Sequence, residues 1–262
     1  MEVISDNIQD IKDLAKQISG SDEIITRHPV DPTVELPGGF ISSDGSLAKS
    51  ATVRELTGRD EELIAKGGNK SIMLNTILSL GLEKLGYNKP TAQDLDSLLA
   101  GDRDAILLGI RKVTFGNTVD GVIDCPGCGV KQDMLIDLDE DVEVVELADP
   151  IKDRVFEVEL RAGTAVVGLP NGLVQKQLSE NLYKSTAEKM SIFLGGCLIS
   201  INDNPCIGAS SAANLGILDR ETLFAEIVKR NPGPRLEAVV KACKACGVEI
   251  SVPLSLAELF RL

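Results

Sequence analysis

Tryptophan is absent from this 262-residue chain, tyrosine occurs twice and histidine once. So few aromatic rings leave little on which unpaired bases could stack. The one histidine, His28, lies in a Pro-flanked loop and would have to serve any Ser-His-Asp or Cys-His arrangement alone. GGNKS (Gly67–Ser71) lacks the strand and glycine spacing of a phosphate-binding loop. No enzyme signature is therefore present. No apolar run approaches the ~18 residues of a membrane span. Positive charge is also in deficit: 27 Lys and Arg against 40 Asp and Glu give a net charge of −13. Such a surface repels phosphate backbones, so no nucleic acid is expected. It suits either solubility or a basic protein partner. The opening MEVISDNIQD is acidic and polar, so no secretory signal or transit peptide is expected. In the reducing cytoplasm this implies, paired cysteines more often hold a metal or do redox work than form disulfides.

Against these absences stand two cysteine pairs, Cys125-Pro-Gly-Cys128 and Cys243-Lys-Ala-Cys246, each followed by a glycine. Two intervening residues let both sulfurs turn toward one ion, and Gly129 or Gly247 permits the left-handed backbone of a knuckle. Four thiolates from Cys125, Cys128, Cys243 and Cys246 would complete one structural zinc site of zinc-ribbon type, with an iron–sulfur cluster as the second choice. The long separation is no obstacle, because loop-closure cost grows only logarithmically with length. Separate ions in each knuckle, a redox CPGC and thiols left from a lost site remain as alternatives. A thioredoxin-like CxxC opens a helix after a strand, whereas each pair here precedes a strand candidate. Cys197 and Cys206 carry no knuckle glycine and read as small buried hydrophobes.

The chain reads as one unit written twice. The first unit has a hairpin pattern, Val34–Ile41 and a run ending Thr52–Leu56 around SDGS. Thr57 then caps a helix rich in early acids, and Ile72 to Gly86 shows apolar residues at helical spacing up to a stopping glycine. LAGDRDAILLGIRKVTFG follows as a helix before CPGCG and the strand candidate MLIDL. The second unit runs FEVEL (Phe156–Leu160), RAG, TAVVGL, LPNGLVQKQLSE, MSIFLGGCLISI, DRETLFAEIVKR and CKACG in the same order. The offset drifts only from 113 residues at Leu56/Leu169 to 117 at Asp102/Asp219 and 118 at Cys125/Cys243. The expected fold class is α+β, internally duplicated, with two pseudo-equivalent hairpin-plus-helices units at 34–138 and 153–262 joined by the four-cysteine site. A pseudo-twofold arrangement would bring the knuckles together at its axis.

Residues 1–33 fall outside the repeat. Ile8, Ile11, Leu14, Ala15 and Ile18 share one face of a short amphipathic helix, with Ser5 as cap and Gly20 as stop, followed by an extended Pro-containing arm. Ile8, Ile11, Leu14 and Ile18 form a candidate docking segment or a lid on the chain's own core. The acidic stretch from Asp137 to Pro150 reads as linker, centred on 139–152 and solvated rather than calcium-binding. The recurring Asp102-Arg103-Asp104 and Asp219-Arg220 at helix starts read as caps and ion pairs.

VRELTGRDEELIAK, LAGDRDAILLGIRKVTFGN and CPGCG with its acidic-apolar strand resemble the T-even-type phage baseplate protein family and its relatives in contractile injection particles. The likeness is best over 34–138, and PGPRLEAVVKACKACGVEISVPLSLAELF fits two-unit members. The resemblance implies a non-catalytic component of the baseplate hub, with other tail or baseplate proteins as partners. It implies assembly in bacterial host cytoplasm and a final place in the tail. An assembly chaperone absent from the finished particle is the alternative from the same gene neighbourhood; a zinc-ribbon nucleic-acid binder and a thiol oxidoreductase follow. Of the site residues, only Cys125, Cys128, Cys243 and Cys246 carry over.

Overall fold

The structure, a computed structural model, describes residues 31–260. The amphipathic segment of residues 1–20, His28 and most of the extended arm lie outside the described residues. The chain enters strand β1 (Thr33–Ile41), which pairs antiparallel with β2 (Leu47–Val53). Asp44 organises the turn between them, accepting from the Ser46 amide at 2.9 Å, as short Asp side chains do in turns. The ladder breaks between Glu35 and Phe40, where Pro37, Gly38 and Gly39 bulge out of register.

Helix α1 (Gly58–Ile64) starts at Thr57, whose hydroxyl and Asp60 form a reciprocal capping box. Helix α2 (Lys70–Gly81) is capped by Asn69, so GGNKS is a helix start. The helical spacing to Gly86 overruns this element. At Leu82 the backbone turns extended and Leu82–Leu85 forms strand β3, paired with β2 through Ala51 and Leu85. Leu82 and Leu85 are buried while Glu83 and Lys84 are exposed. Buried residues three apart keep the helical spacing, and a register shift opposite Thr52 and Val53 lets this edge strand bury both leucines, so four residues are too few to separate the two periods.

After a short helix α3 (Ala92–Ser97), helix α4 (Ala100–Phe115) is the longest element of this part of the chain. It is crowded on several sides. A Cβ at Gly109 would stand 2.2 Å from Val34 of β1, and one at Gly101 would stand 1.6 Å from the Pro232 carbonyl oxygen. Only glycine admits such approaches. Ile106 and Ile110 enter a core with Phe40, Val53, Ile77, Leu78 and Phe260.

A second set of elements has its own core. Strands β7 (Val155–Leu160) and β8 (Gly163–Gly168) meet at a tight turn, helices α5 (Gly172–Glu180) and α6 (Thr186–Cys197) follow, and β9 (Leu198–Ile201) joins β8. The helical reading of MSIFLGGCLISI therefore holds only to Cys197; LISI is a strand, its partner set by tertiary pairing. Helix α8 (Ile217–Arg230) lays Leu223 and Ile227 against Val158, Val167, Val174 and Leu194, α7 being the short helix Gly208–Ala213. The architecture is α+β.

The acids Asp139, Glu140, Glu143 and Glu146 of the stretch after Asp137 are exposed, as expected, while its apolar residues are packed. Leu138 and Val142 are buried beside Leu108, Leu236 and Leu259, and Val144–Val145 pairs with Gly233–Pro234. Lys112 pairs with Asp139, and Lys241 with Asp141. Apolar residues placed between the acids pull the segment down.

Asp102 and Asp219 are not caps. Neither α4 nor α8 has a side-chain cap at its start. Asp102 instead accepts from the Gly38 amide of the β1 bulge at 2.7 Å. Asp219 accepts from the Arg161 and Ala162 amides of the β7–β8 turn at 2.9 and 3.2 Å. Arg103 is no ion-pair partner of theirs either. It donates to Gln175 and the Leu95 carbonyl, both at 2.6 Å, and to Asn75. The caps expected from sequence position lost to hairpin amides, of which that of Gly38 belongs to a buried residue that needs an acceptor.

Candidate metal centre

Two small hairpins carry the cysteines. Strands β4 (Thr118–Asp124) and β5 (Lys131–Asp137) pair from Thr118 opposite Asp137 up to Asp124 opposite Lys131, and the loop at their tip holds Cys125 and Cys128. Strands β12 (Val240–Ala242) and β13 (Glu249–Ser251) do the same for Cys243 and Cys246.

The loops are built alike. The Cys125 amide donates to the Val130 carbonyl at 3.0 Å and the Cys243 amide to that of Val248 at 2.8 Å. Gly129 and Gly247 return to the carbonyls of Cys125 and Cys243 at 2.8 and 2.9 Å. Their φ angles are +70° and +74°, in the left-handed region where a side chain is strained. One turn in, the Gly127 amide lies 3.4 Å from Cys125 Sγ and the Ala245 amide 3.4 Å from Cys243 Sγ. Backbone donors thus face a sulfur in both knuckles.

The hairpins meet tip to tip. Cys125 Sγ lies 3.6 Å from Cys246 Sγ and Cys128 Sγ 3.8 Å from Cys243 Sγ, so both close contacts cross between knuckles. All four sulfurs lie within 4.8 Å of one another. A disulfide needs about 2.05 Å between sulfurs, and all six cysteines are free. For a tetrahedral ion with metal–sulfur bonds of about 2.3 Å, the sulfur–sulfur edge is about 3.8 Å. The two crossed contacts match that edge and the remaining separations stay within 4.8 Å, so the donor set fits a zinc-sized, thiolate-loving cation.

Cys125 and Cys243 are buried over Met134 and Ile250, flanked by Ile123 and Val252, while Cys128 and Cys246 are exposed. Two further contacts hold the knuckles in register. The Lys244 amide donates to Gln132 Oε1 and Lys244 Nζ to the Asp133 carbonyl, both at 3.0 Å. Nothing in the CxxC spacing identified Gln132 or Lys244, whose partner is 112 residues away.

The electrostatics of four adjacent thiols are one-sided. Amides of Cys246 and Ala245 lower the Cys243 thiol to about 6. The Val248 amide favours the Cys246 thiolate, but Cys243 and the other sulfurs outweigh it and push that thiol up to about 12. Cys243 thus accepts a negative charge readily and Cys246 resists one. A divalent cation at the centre would reverse that resistance.

The other candidates separate from this centre. Cys197 sits in the second core, and burial pushes its thiol up to about 12. Cys206 is half-buried at the edge of the same core. Among the described residues, no helix is long and apolar enough to cross a membrane.

Residues 43–204 match the family model described as T4 bacteriophage base plate protein. The matched segment exceeds half of the chain and contains Cys125 and Cys128, while Cys243 and Cys246 lie beyond it. No curated protein and no solved structure matches the chain.

Proposed function

Because this chain belongs to the T4 bacteriophage base plate protein family, we propose that it is a non-enzymatic structural subunit of the baseplate hub region, stabilised by one zinc shared between its two knuckles. Family membership carries the structural role in the phage tail and makes other tail proteins its partners. The crossed sulfur contacts of 3.6 and 3.8 Å support the shared ion. Zinc would supply a crosslink between chain segments far apart in sequence, with no reaction of its own. Such a link holds their relative angle under the load of tail contraction.

The reading includes an internal duplication with units at 34–138 and 153–262 and a connecting segment at 139–152. Its support is recurrence. A hairpin, two helices and a third strand returning to the hairpin occur in both stretches. In both, the Asp near the start of a later helix accepts backbone amides from that hairpin. The knuckle turns share their hydrogen bonds. Assembly in the bacterial cytoplasm would keep the thiolates reduced.

Mass spectrometry of purified particles tests the role. The chain should be present at a fixed copy number. Its absence from finished particles, with tails failing to form when it is deleted, would make it an assembly chaperone instead.

A further inference from the structure

A groove of about 310 Å³ runs between helices α5 and α8. Val174 and Leu178 line one wall, Phe224 and Val228 the other. Phe193 stacks edge-on against Phe224 with ring centroids 5.6 Å apart. Asp104, Asn231 and Glu237 bring a different chemistry to its lining. Asn231 Oδ1 is buried and accepts no hydrogen bond among the described residues. The Asp104 carboxylate receives none there either; burial and then Glu237 push its pKa up to about 6, against the opposing charge of Arg103.

Two arginines lie nearby, and Arg235 itself lines the groove. Arg103 directs its donors to Gln175, Leu95 and Asn75, and Arg235 directs one to the Asn231 carbonyl at 2.6 Å. An apolar groove whose lining also holds a buried unpartnered acceptor and a carboxylate without a hydrogen-bond donor suits a cation carried on an alkyl stem. An anion would be repelled, and a wholly apolar occupant would bury the carboxylate without compensation.

We propose that this groove receives a lysine or arginine side chain from another tail protein, its stem along Phe193, Phe224 and Val228 and its head at Asp104 and Asn231 Oδ1. The mouth supports a protein rather than a free amine as the source. Ile217, 78% exposed, and Leu218 extend the apolar surface of α8 beyond the groove, a platform for the segment presenting the cation. The net charge of −13 favours a basic partner. Only the identity of the partner as a tail protein rests on the function proposed above; the chemistry of the groove stands apart from it.

The test uses the full chain with n-hexylammonium, n-hexylguanidinium and n-hexanol as probes, followed by methyl NMR shifts of Val174 and Val228 at pH 7.5. The cations should bind at least tenfold more tightly than the alcohol. Asp104→Asn should abolish that preference, and Phe224→Ala should weaken all three probes. Equal binding of the alcohol, an unchanged preference in Asp104→Asn, or no shifts with any probe would overturn the proposal. In assembled particles, a photo-crosslinker at Val228 should attach beside a lysine or arginine of another tail protein. Attachment to a second copy of this chain, or to a segment without a basic residue, would overturn it as well. Absence of the chain from particles would refute the baseplate role alone, since the amine measurements do not depend on assembly.

Discussion

Asp102, with no solvent exposure, accepts the Gly38 amide at 2.7 Å and so ties the first turn of α4 to the bulge of β1. Its other oxygen has no partner among the described residues. Arg154, which donates to the Gly38 carbonyl at 3.1 Å, supplies the nearest opposing charge. Burial nevertheless dominates, and the carboxyl is pushed up to about 7.

A pH dependence follows from that shift. The folded state keeps a proton that the unfolded chain, with an Asp pKa near ~3.9, releases. The contribution of this group to stability is therefore full below about pH 4 and lost as pH rises to about 7. Asp102→Asn should flatten the decline in urea midpoint between pH 5 and pH 7.5, recovering roughly 2–4 kcal/mol of it. A variant declining as steeply as the parent would exclude Asp102 as the cause.

Elemental analysis should find one zinc per chain. Replacing Cys243 and Cys246 with serine should release it and lower Tm by roughly 10 °C or more, because metal binding is folding free energy. Metal affinity should weaken as pH falls, because protons compete with the ion for the thiolates. Two zincs per chain would show independent knuckles. Unchanged metal content in the double variant would exclude these ligands.

Gly101→Ala should be among the most damaging single-methyl additions, since its Cβ would overlap the Pro232 carbonyl oxygen. A loss of about 3 kcal/mol or more is expected from such overpacking. Gly58→Ala, with nothing within 4 Å of the added carbon, should change stability by under about 0.5 kcal/mol. Chemical denaturation of both variants checks the contrast, and similar losses would disprove the close approach.

Asp219→Ala should cost about 0.5–1.5 kcal/mol, because the Arg161 and Ala162 amides of an exposed turn lose the carboxylate they donate to and turn to water instead. Hydrogen exchange should speed up at those two amides first. Exchange that stays as slow as in the parent would show that the bonds do not form in solution.

Local signals read well from the sequence. Thr57 as a cap, the turn between Leu160 and Gly163, and the glycine after each CxxC depend on residues within a few positions of one another. Their conformations follow from side-chain reach and allowed φ values. Helix ends before strands were not legible. Gly81 to Leu85 and Leu198 to Ile201 carry apolar residues compatible with either period, and the choice came from β2 and β8 offering an open edge. The acidic stretch was legible in its exposed acids but not in its packing, for a related reason. Its charge pattern is local, whereas the burial of Leu138 and Val142 depends on Leu236 and Leu259 about a hundred residues later.

The sequence by itself marked the four thiols that come together, since CxxC spacing before a glycine turns both sulfurs of a pair to one side. Tertiary structure alone decided that the two knuckles face each other, and that Lys244 lies on Gln132 and Asp133. It also decided that Asp102 and Asp219 reach strands rather than their own helix ends. Those outcomes depend on which apolar faces pack together, a free-energy balance summed over the whole chain that no short window of residues contains.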